Sequence, residues 1–150
     1  LEIERMLKSP QREFPDMFNL PYHSVCTTST HDMTPLRNWW KEDPEKTQRY
    51  YNHVLQRIGE APDECTAEIV ALIISNHLKT RSMLTIIPLQ DWFAMDDSIK
   101  RKDIESERIN VPANSTHYWR YRMHITLEQL LQADNLNNKI VSLIKEAGRK

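Results

Sequence analysis

The sequence has 150 residues, 39% of them hydrophobic and 27% charged, and its formal net charge is −1. This length suits one domain with a substantial core, and the near-neutral charge favours neither a nucleic-acid partner nor a membrane partner. The two cysteines are too few for a disulfide scaffold and fit a reducing compartment such as the cytoplasm. The two glycines, Gly59 and Gly148, exclude a glycine-rich phosphate-binding loop.

The start of the chain is typical of the interior of a longer protein. The first residue is Leu1, and residues 1–6 have the apolar–polar alternation of a strand that is cut at its beginning. A secretory signal peptide begins with a basic segment followed by an apolar core, and the start of this sequence lacks that pattern. The longest apolar run, residues 69–74, is too short to span a bilayer. Residues 1–150 show no linker and are interpreted as a segment of a single domain.

After this start, the first half of the chain predicts a loop, a strand and three helices. Residues 10–21 contain three prolines and no periodicity, which is typical of a loop. Residues 24–30 are a β-prone run that predicts a strand. Pro35 favours a helix start, and Gly59 is a suitable helix C-cap. The helices are predicted over residues 34–40, 43–58 and 62–78.

The second half of the chain predicts a third strand and two more helices. Residues 83–88 form a continuous apolar run, which predicts a strand buried on both faces as in a parallel sheet. Thr126 and Gln129 have the spacing of a capping box, and a last helix is predicted over residues 134–147. Strands alternating with helices indicate an α/β fold. Three strands are too few for an eight-stranded barrel, so the chain is interpreted as the C-terminal portion of a (β/α)8 barrel.

The candidate site with the strongest signal is the pair His31-Asp32. It directly follows the strand predicted over residues 24–30 and precedes a helix, and barrel enzymes present their reactive side chains at such positions. An aspartate and a histidine beside a reacting sugar ring can bind its hydroxyl groups more strongly in the transition state. The alternative is that Asp32 caps the following helix.

Two further segments are candidates on weaker signals. Gln90 and Asp91 follow the third predicted strand and belong to the same edge of a parallel sheet, where they contact substrate or serve as a cap or turn. Asn110 lies in a loop stiffened by Pro112, where an amide suits sugar hydroxyl groups and an ordinary turn is the alternative.

The remaining residues give little support to other classes of site. A role in stacking on carbohydrate is one interpretation of six aromatic residues, but most of them are expected to be packing residues: Trp39, Trp40, Trp92, Tyr118, Trp119 and Tyr121. The six histidines and two cysteines lack the spacing of a zinc site, so no metal and no cofactor are predicted.

Five segments together resemble the amylomaltase family, the 4-α-glucanotransferases or disproportionating enzymes of glycoside hydrolase family 77. They contain Ser24-Val25-Cys26-Thr27-Thr28-Ser29-Thr30-His31-Asp32-Met33, Leu36-Arg37-Asn38-Trp39-Trp40, Pro88-Leu89-Gln90-Asp91-Trp92, Glu107-Arg108-Ile109-Asn110-Val111-Pro112-Ala113-Asn114 and His117-Tyr118-Trp119-Arg120-Tyr121-Arg122. The resemblance covers nearly the whole chain and is greatest to the branch that includes the cytosolic plant enzyme.

The resemblance implies a (β/α)8 barrel that transfers α-1,4-glucan segments with retention of configuration. Asp32 then matches the carboxylate that stabilises the transition state, and His31, Gln90, Asp91 and Asn110 match substrate-binding positions. The nucleophile and the acid/base of the family lie on earlier strands, and neither motif occurs in this chain. The partners implied are maltooligosaccharides and the rest of the same barrel. The alternatives are a non-catalytic helical module that binds glucan or protein, and an α-glucan hydrolase.

Overall fold

The structure is a computed structural model of the chain, and it describes residues 1–6 and 11–149. Three short parallel strands form its sheet: β1 (Glu2–Ile3), β2 (Val25–Thr27) and β3 (Leu84–Thr85). Their order is β1-β2-β3, so β2 is the central strand. Parallel neighbours require crossover connections, and the longest of these contains the helices between β2 and β3. The predicted α/β class and the parallel arrangement are therefore confirmed.

The strands are shorter than the sequence predicts, because only their central residues pair. Cys26 lies opposite both Glu2 and Thr85, so one row of paired residues crosses the sheet. On either side of β3, the N–H groups of Met83 and Ile86 also donate to carbonyl oxygens in or near β2, at 2.8 and 2.9 Å. On the carboxyl side of β2 the backbone leaves the sheet after residue 27.

The first residues of the helices after β2 follow from the cap residues that precede them. α1 (Leu36–Glu42) starts after Pro35, and α2 (Pro44–Arg49) starts after Asp43, whose side chain accepts a hydrogen bond from the N–H of Lys46. α2 continues as a π-helical turn over Tyr50–Val54.

The end of this helix differs from the prediction. Leu55 is the cap residue, and Gln56 takes the left-handed backbone conformation with φ of 53°. A residue in this conformation commonly terminates a helix, so Gln56 has the role predicted for Gly59. The predicted extension to residue 58 is therefore wrong, and Ile58 is almost fully exposed.

α3 (Ala67–Leu78) forms the centre of the core. The side chain of Thr66 accepts a hydrogen bond from the N–H of Ile69, which explains why the helix begins five residues later than Pro62 predicts. The buried helix face packs with aromatic residues of α1 and the π-helical turn. The residues of this cluster with the least exposure are Val70, Ile73, Ile74, Tyr50, Met95 and Leu136.

In the second half, up to residue 149, the structure has three α-helices: α4 (Leu89–Phe93), α5 (Leu127–Leu131) and α6 (Asp134–Glu146). The predicted capping box is confirmed, because the side chains of Thr126 and Gln129 each accept from the other residue's N–H. The predicted last helix is also confirmed, ending one residue early. α4 is absent from the prediction.

The expectation that β3 is buried on both faces is wrong for the described chain. Leu84 and Ile86, which share a face, are 47% and 58% exposed, whereas Ile87 is buried. β3 is an edge strand, and no described element covers this face fully. Pro10, at the start of the predicted loop, lies outside the described residues.

Candidate functional site

The loop between β2 and α1 carries the two residues with the strongest sequence signal. The side chains of His31 and Asp32 are each 51% exposed, and Nε2 of His31 lies 3.3 Å from Oδ2 of Asp32. The imidazole and the carboxylate therefore form one solvent-facing pair at the carboxyl end of the central strand. This is the edge of a parallel sheet at which ligands generally bind.

Asp32 is not the cap of α1, so the capping interpretation is wrong. Pro35 occupies the cap position, and no local side chain caps the helix. The N–H of Leu36, the first helical residue, is instead bound by Oδ1 of Asp91 at 2.9 Å. A carboxylate distant in sequence performs the capping function, which leaves the Asp32 carboxylate directed toward His31 and Asn110.

Asn110 contacts the pair through both its side chain and its backbone. Its Nδ2 donates to Oδ1 of Asp32 at 2.6 Å, and its backbone N–H donates to the carbonyl oxygen of His31 at 3.1 Å. The structure thus brings together three of the five predicted site residues, although 78 positions separate Asn110 from Asp32. One Asp32 oxygen is held by the amide and the other faces the imidazole.

Trp119, one of the six aromatic residues named above, is a neighbour of this pair. Its ring centroid lies 4.7 Å from that of His31, and the side chain is 59% exposed. By contrast, Trp39 and Trp40 are buried in the core, as the packing expectation requires. An exposed indole beside exposed polar groups is suited to contact the apolar face of a sugar ring. The position of Trp119 between Tyr118 and Tyr121, in a segment rich in aromatic residues, is the available signal.

Two adjoining clefts border the pair. Asp32 lines a cleft of about 310 Å³ together with Arg5 and Arg108. His31 lines a second cleft of about 230 Å³, together with Gln90 and Glu107. The two clefts share Met33 as a lining residue. The pair therefore lies between a cleft lined by charged side chains of both signs and a cleft lined by buried polar side chains.

Gln90 and Asp91 are buried in the first turn of α4, unlike the exposed pair. Nε2 of Gln90 donates to the carbonyl oxygen of Glu107 at 3.1 Å, and the residue also lines the second cleft. Asp91 is 1% exposed and is absent from the described lining of both clefts. Its assignment to substrate binding stays a prediction, and its carboxylate is occupied by groups of the protein.

The carboxylate of Asp91 is bound on both oxygens. Oδ2 accepts from the hydroxyl groups of Thr28 and Ser29, at 2.6 and 3.4 Å, while Oδ1 accepts from the N–H of Leu36. Burial raises the pKa of Asp91, and these hydrogen bonds and the nearby charge of Arg5 oppose that increase. The hydrogen-bond donors to the buried carboxylate lie in the loop that carries His31 and Asp32 or at the first residue of α1.

Glu107 is a second buried carboxyl group near the clefts. Burial raises its pKa to about 7, and the positive charge of Arg37 opposes the increase. The closest guanidinium nitrogen of Arg37 lies 3.5 Å from Oε2 of Glu107. The Glu107 carboxyl group therefore titrates near neutral pH, which is unusual for a glutamate.

Residues 1–6 and 11–149 contain neither a metal-binding cluster nor a membrane-spanning helix. No cluster of three or more histidine, cysteine, aspartate or glutamate residues there could hold a metal ion. No helix in the same residues is long and apolar enough to cross a membrane.

Comparisons with known proteins agree on one family. The family model described as 4-alpha-glucanotransferase matches residues 1–128. The chain is 38% identical over 149 residues to 4-alpha-glucanotransferase DPE2 of Oryza sativa subsp. japonica, covering 99% of this chain and 16% of that protein. It is 31% identical to a 4-alpha-glucanotransferase of Chlamydia trachomatis, covering 80% of this chain and 22% of the relative.

The fold of the chain also matches that of a solved structure. The amylomaltase from Streptococcus agalactiae in complex with acarbose matches with a TM-score of 0.65 at 19% identity, covering 89% of this chain and 23% of that chain. The chain thus spans about a fifth of the length of these relatives. Because the family model matches most of the sequence, the chain belongs to the 4-alpha-glucanotransferase family.

Proposed function

We propose that these residues are the C-terminal part of a (β/α)8 glucanotransferase barrel. The parallel order β1-β2-β3 is the order that consecutive barrel strands have. The apolar residues Leu84 and Ile86 are exposed at the edge strand, and further strands of the same polypeptide would cover them. The barrel of the same polypeptide is thus the proposed partner of this face.

The full-length protein then transfers α-1,4-glucan segments to glucose or maltooligosaccharide acceptors. The observation that carries this proposal is the exposed pair His31-Asp32, fixed by Asn110 at the carboxyl end of the central strand. The nucleophile and the acid/base belong to the remainder of the barrel, because a retaining mechanism needs two further carboxyl groups about 5 Å apart. The two free, buried cysteines suit the cytoplasm, which is the proposed location.

Asp32 supports the transition state rather than forming the covalent bond. As positive charge develops on the sugar ring, the ring hydroxyl groups become better hydrogen-bond donors, and a fixed carboxylate binds them more strongly. The Asn110 amide holds one Asp32 oxygen and the other lies 3.3 Å from Nε2 of His31, and because both side chains are half exposed, sugar hydroxyl groups can reach the pair. Trp119 lies beside them as an apolar surface for the ring.

The test is Asp32→Asn in the full-length protein, assayed by disproportionation of maltooligosaccharides. We expect the rate to fall by at least about 100-fold, because the neutral amide cannot stabilise developing positive charge as a carboxylate does. The matched control is Asp63→Asn, which changes an exposed aspartate outside the site and leaves the rate unchanged. A near-normal rate for the Asp32 variant would contradict the assignment. Product analysis with glucose as acceptor separates transfer from hydrolysis.

A further inference from the structure

The loop that carries His31 and Asp32 is held at both ends by one buried carboxylate. On the side that leaves β2, Oδ2 of Asp91 accepts from the Thr28 hydroxyl at 2.6 Å and from the Ser29 hydroxyl at 3.4 Å. On the side that enters α1, Oδ1 accepts from the N–H of Leu36 at 2.9 Å. The same side chain therefore sets the separation between the two ends of the loop.

A buried arginine makes a second connection between the same two ends. Nε of Arg5 donates to the carbonyl oxygen of Thr28 at 3.0 Å, and an Nη of the same guanidinium donates to the carbonyl oxygen of Thr34 at 2.8 Å. The guanidinium carbon lies 5.1 Å from the centroid of the Trp39 ring, which restricts its position further. The planar guanidinium group gives these two bonds a fixed geometry.

We propose that Asp91 and Arg5 are positioning residues that fix His31 and Asp32 in the geometry needed for glucan transfer. This inference rests on the proposed function of the pair. Asp91 is buried and is not among the described residues that line either cleft, so its influence on a sugar must pass through the loop. The role differs from the substrate contact predicted for Asp91 from the sequence.

The size of the effect follows from the sensitivity of catalysis to distance. A displacement of about 1 Å in a catalytic group can reduce the rate by about 100-fold. In Asp91→Ala the hydrogen bonds that Thr28, Ser29 and Leu36 donate to the carboxylate are lost together, and we expect kcat to fall by about 10- to 100-fold. KM changes by less than about 3-fold, because Asp32 acts mainly in the transition state.

Asp91→Asn separates positioning from a direct role of the charge. An amide can still accept from the N–H of Leu36 and can donate to the hydroxyl oxygen of Thr28, so it can rebuild both ends of the connection. We therefore expect this variant to recover most of the activity that Asp91→Ala loses. If the carboxylate charge contacted the sugar, both variants would be impaired alike.

Thr28→Val is the milder variant for the case in which Asp91→Ala does not fold. It removes one hydroxyl donor to Asp91 with little change in shape, and we expect kcat to fall by about 3- to 10-fold. Thr47→Val is its matched control, because Thr47 is equally buried and donates to the carbonyl oxygen of Trp40, away from the loop. The control retains the wild-type kcat.

The decisive experiment combines these changes with Asp32→Asn in the full-length protein and measures kcat for disproportionation. If Asp91 and Thr28 act through Asp32, their substitution lowers kcat little further in the Asp32→Asn background. Additive losses, or a wild-type kcat for both Asp91→Ala and Thr28→Val, would overturn the positioning role while the proposed function stands. A fully active Asp32→Asn variant would instead refute the proposed function and the positioning role with it.

Discussion

The carboxyl ends of β2 and β3 have similar sequence patterns and different surroundings. Each strand is followed by a polar residue and an aspartate, His31-Asp32 in one case and Gln90-Asp91 in the other. The first pair is half exposed, and the second pair is buried. The rule that function lies at the carboxyl ends of parallel strands locates both pairs but does not distinguish a residue that meets substrate from one that supports it.

The lengths of the connections explain the difference. Eight residues separate β2 from α1, so the backbone can extend outward before the helix begins. After β3, by contrast, α4 begins within four residues, and its first turn directs Gln90 and Asp91 into the interior. The longer connection is also the one that needs anchoring, and Asp91 supplies hydrogen bonds at both of its ends.

The largest predicted effect on stability concerns the exposed face of β3. If further barrel strands cover this face, Ile86→Lys places an unpaired charge in an apolar interior and lowers the free energy of unfolding of the full-length protein by about 2–4 kcal/mol. Ile58→Lys is the matched control at an almost fully exposed position, and it leaves stability unchanged. Chemical denaturation measures both variants. Equal stability of the two would show that the β3 face is not buried.

A second prediction concerns the anchoring of the exposed pair. Asn110→Ala removes the 2.6 Å hydrogen bond to the Asp32 carboxylate, and a bond to a charged group contributes about 1.5–3 kcal/mol. We therefore expect kcat of the full-length protein to fall by about 10- to 100-fold, as measured by maltooligosaccharide disproportionation. Asn114→Ala, in the same loop, is the control. An unchanged kcat for the Asn110 variant would mean that the amide does not fix Asp32.

The smallest predicted effect concerns the pH dependence of the buried region behind α4. The pKa of Glu107 is raised to about 7, so the folded state binds its proton more tightly than the unfolded state does. The associated stability is present at acidic pH and is lost as the pH rises from about 4.5 to 7. We expect a loss of about 1–2 kcal/mol, smaller than the full shift implies because Glu107 also lines a cleft, where water screens its charge.

The measurement is the unfolding free energy between pH 5 and pH 8 for the wild type and for Glu107→Gln. The variant lacks the titrating group, so its stability falls less over this range than that of the wild type. Glu60→Gln, at an exposed position, serves as the control and follows the wild type. If the Glu107 variant and the wild type have parallel pH profiles, the buried carboxyl group does not titrate in this range.

Much of the fold was predictable because the relevant signals are local. The three strands, the capping box at Thr126 and the last helix follow from residue patterns over a few positions. The strand ends were predicted too long, because pairing with a neighbour decides where a strand stops. α4 was missed, since five residues are too few to show helical periodicity.

The residues that belong to the candidate site were more predictable than the role of each residue in it. The pairing of Asp32 with Asn110 and the use of Asp91 as a distant helix cap depend on tertiary contacts that no spacing in the sequence encodes. Burial distinguishes Asp91 from Asp32, although each lies a few residues after a strand of the parallel sheet. The exposure of Trp119 beside His31 could not be predicted for a related reason, because an aromatic residue is usually part of the core.

The most direct test of the account is a crystal structure of the full-length protein with a bound maltooligosaccharide. The account predicts sugar hydroxyl groups within hydrogen-bond distance of both Asp32 and His31, with Asp91 still bound to Thr28 and Leu36 and no sugar atom in contact with it. A sugar bound to the carboxylate of Asp91, or a sugar bound away from His31 and Asp32, would contradict it.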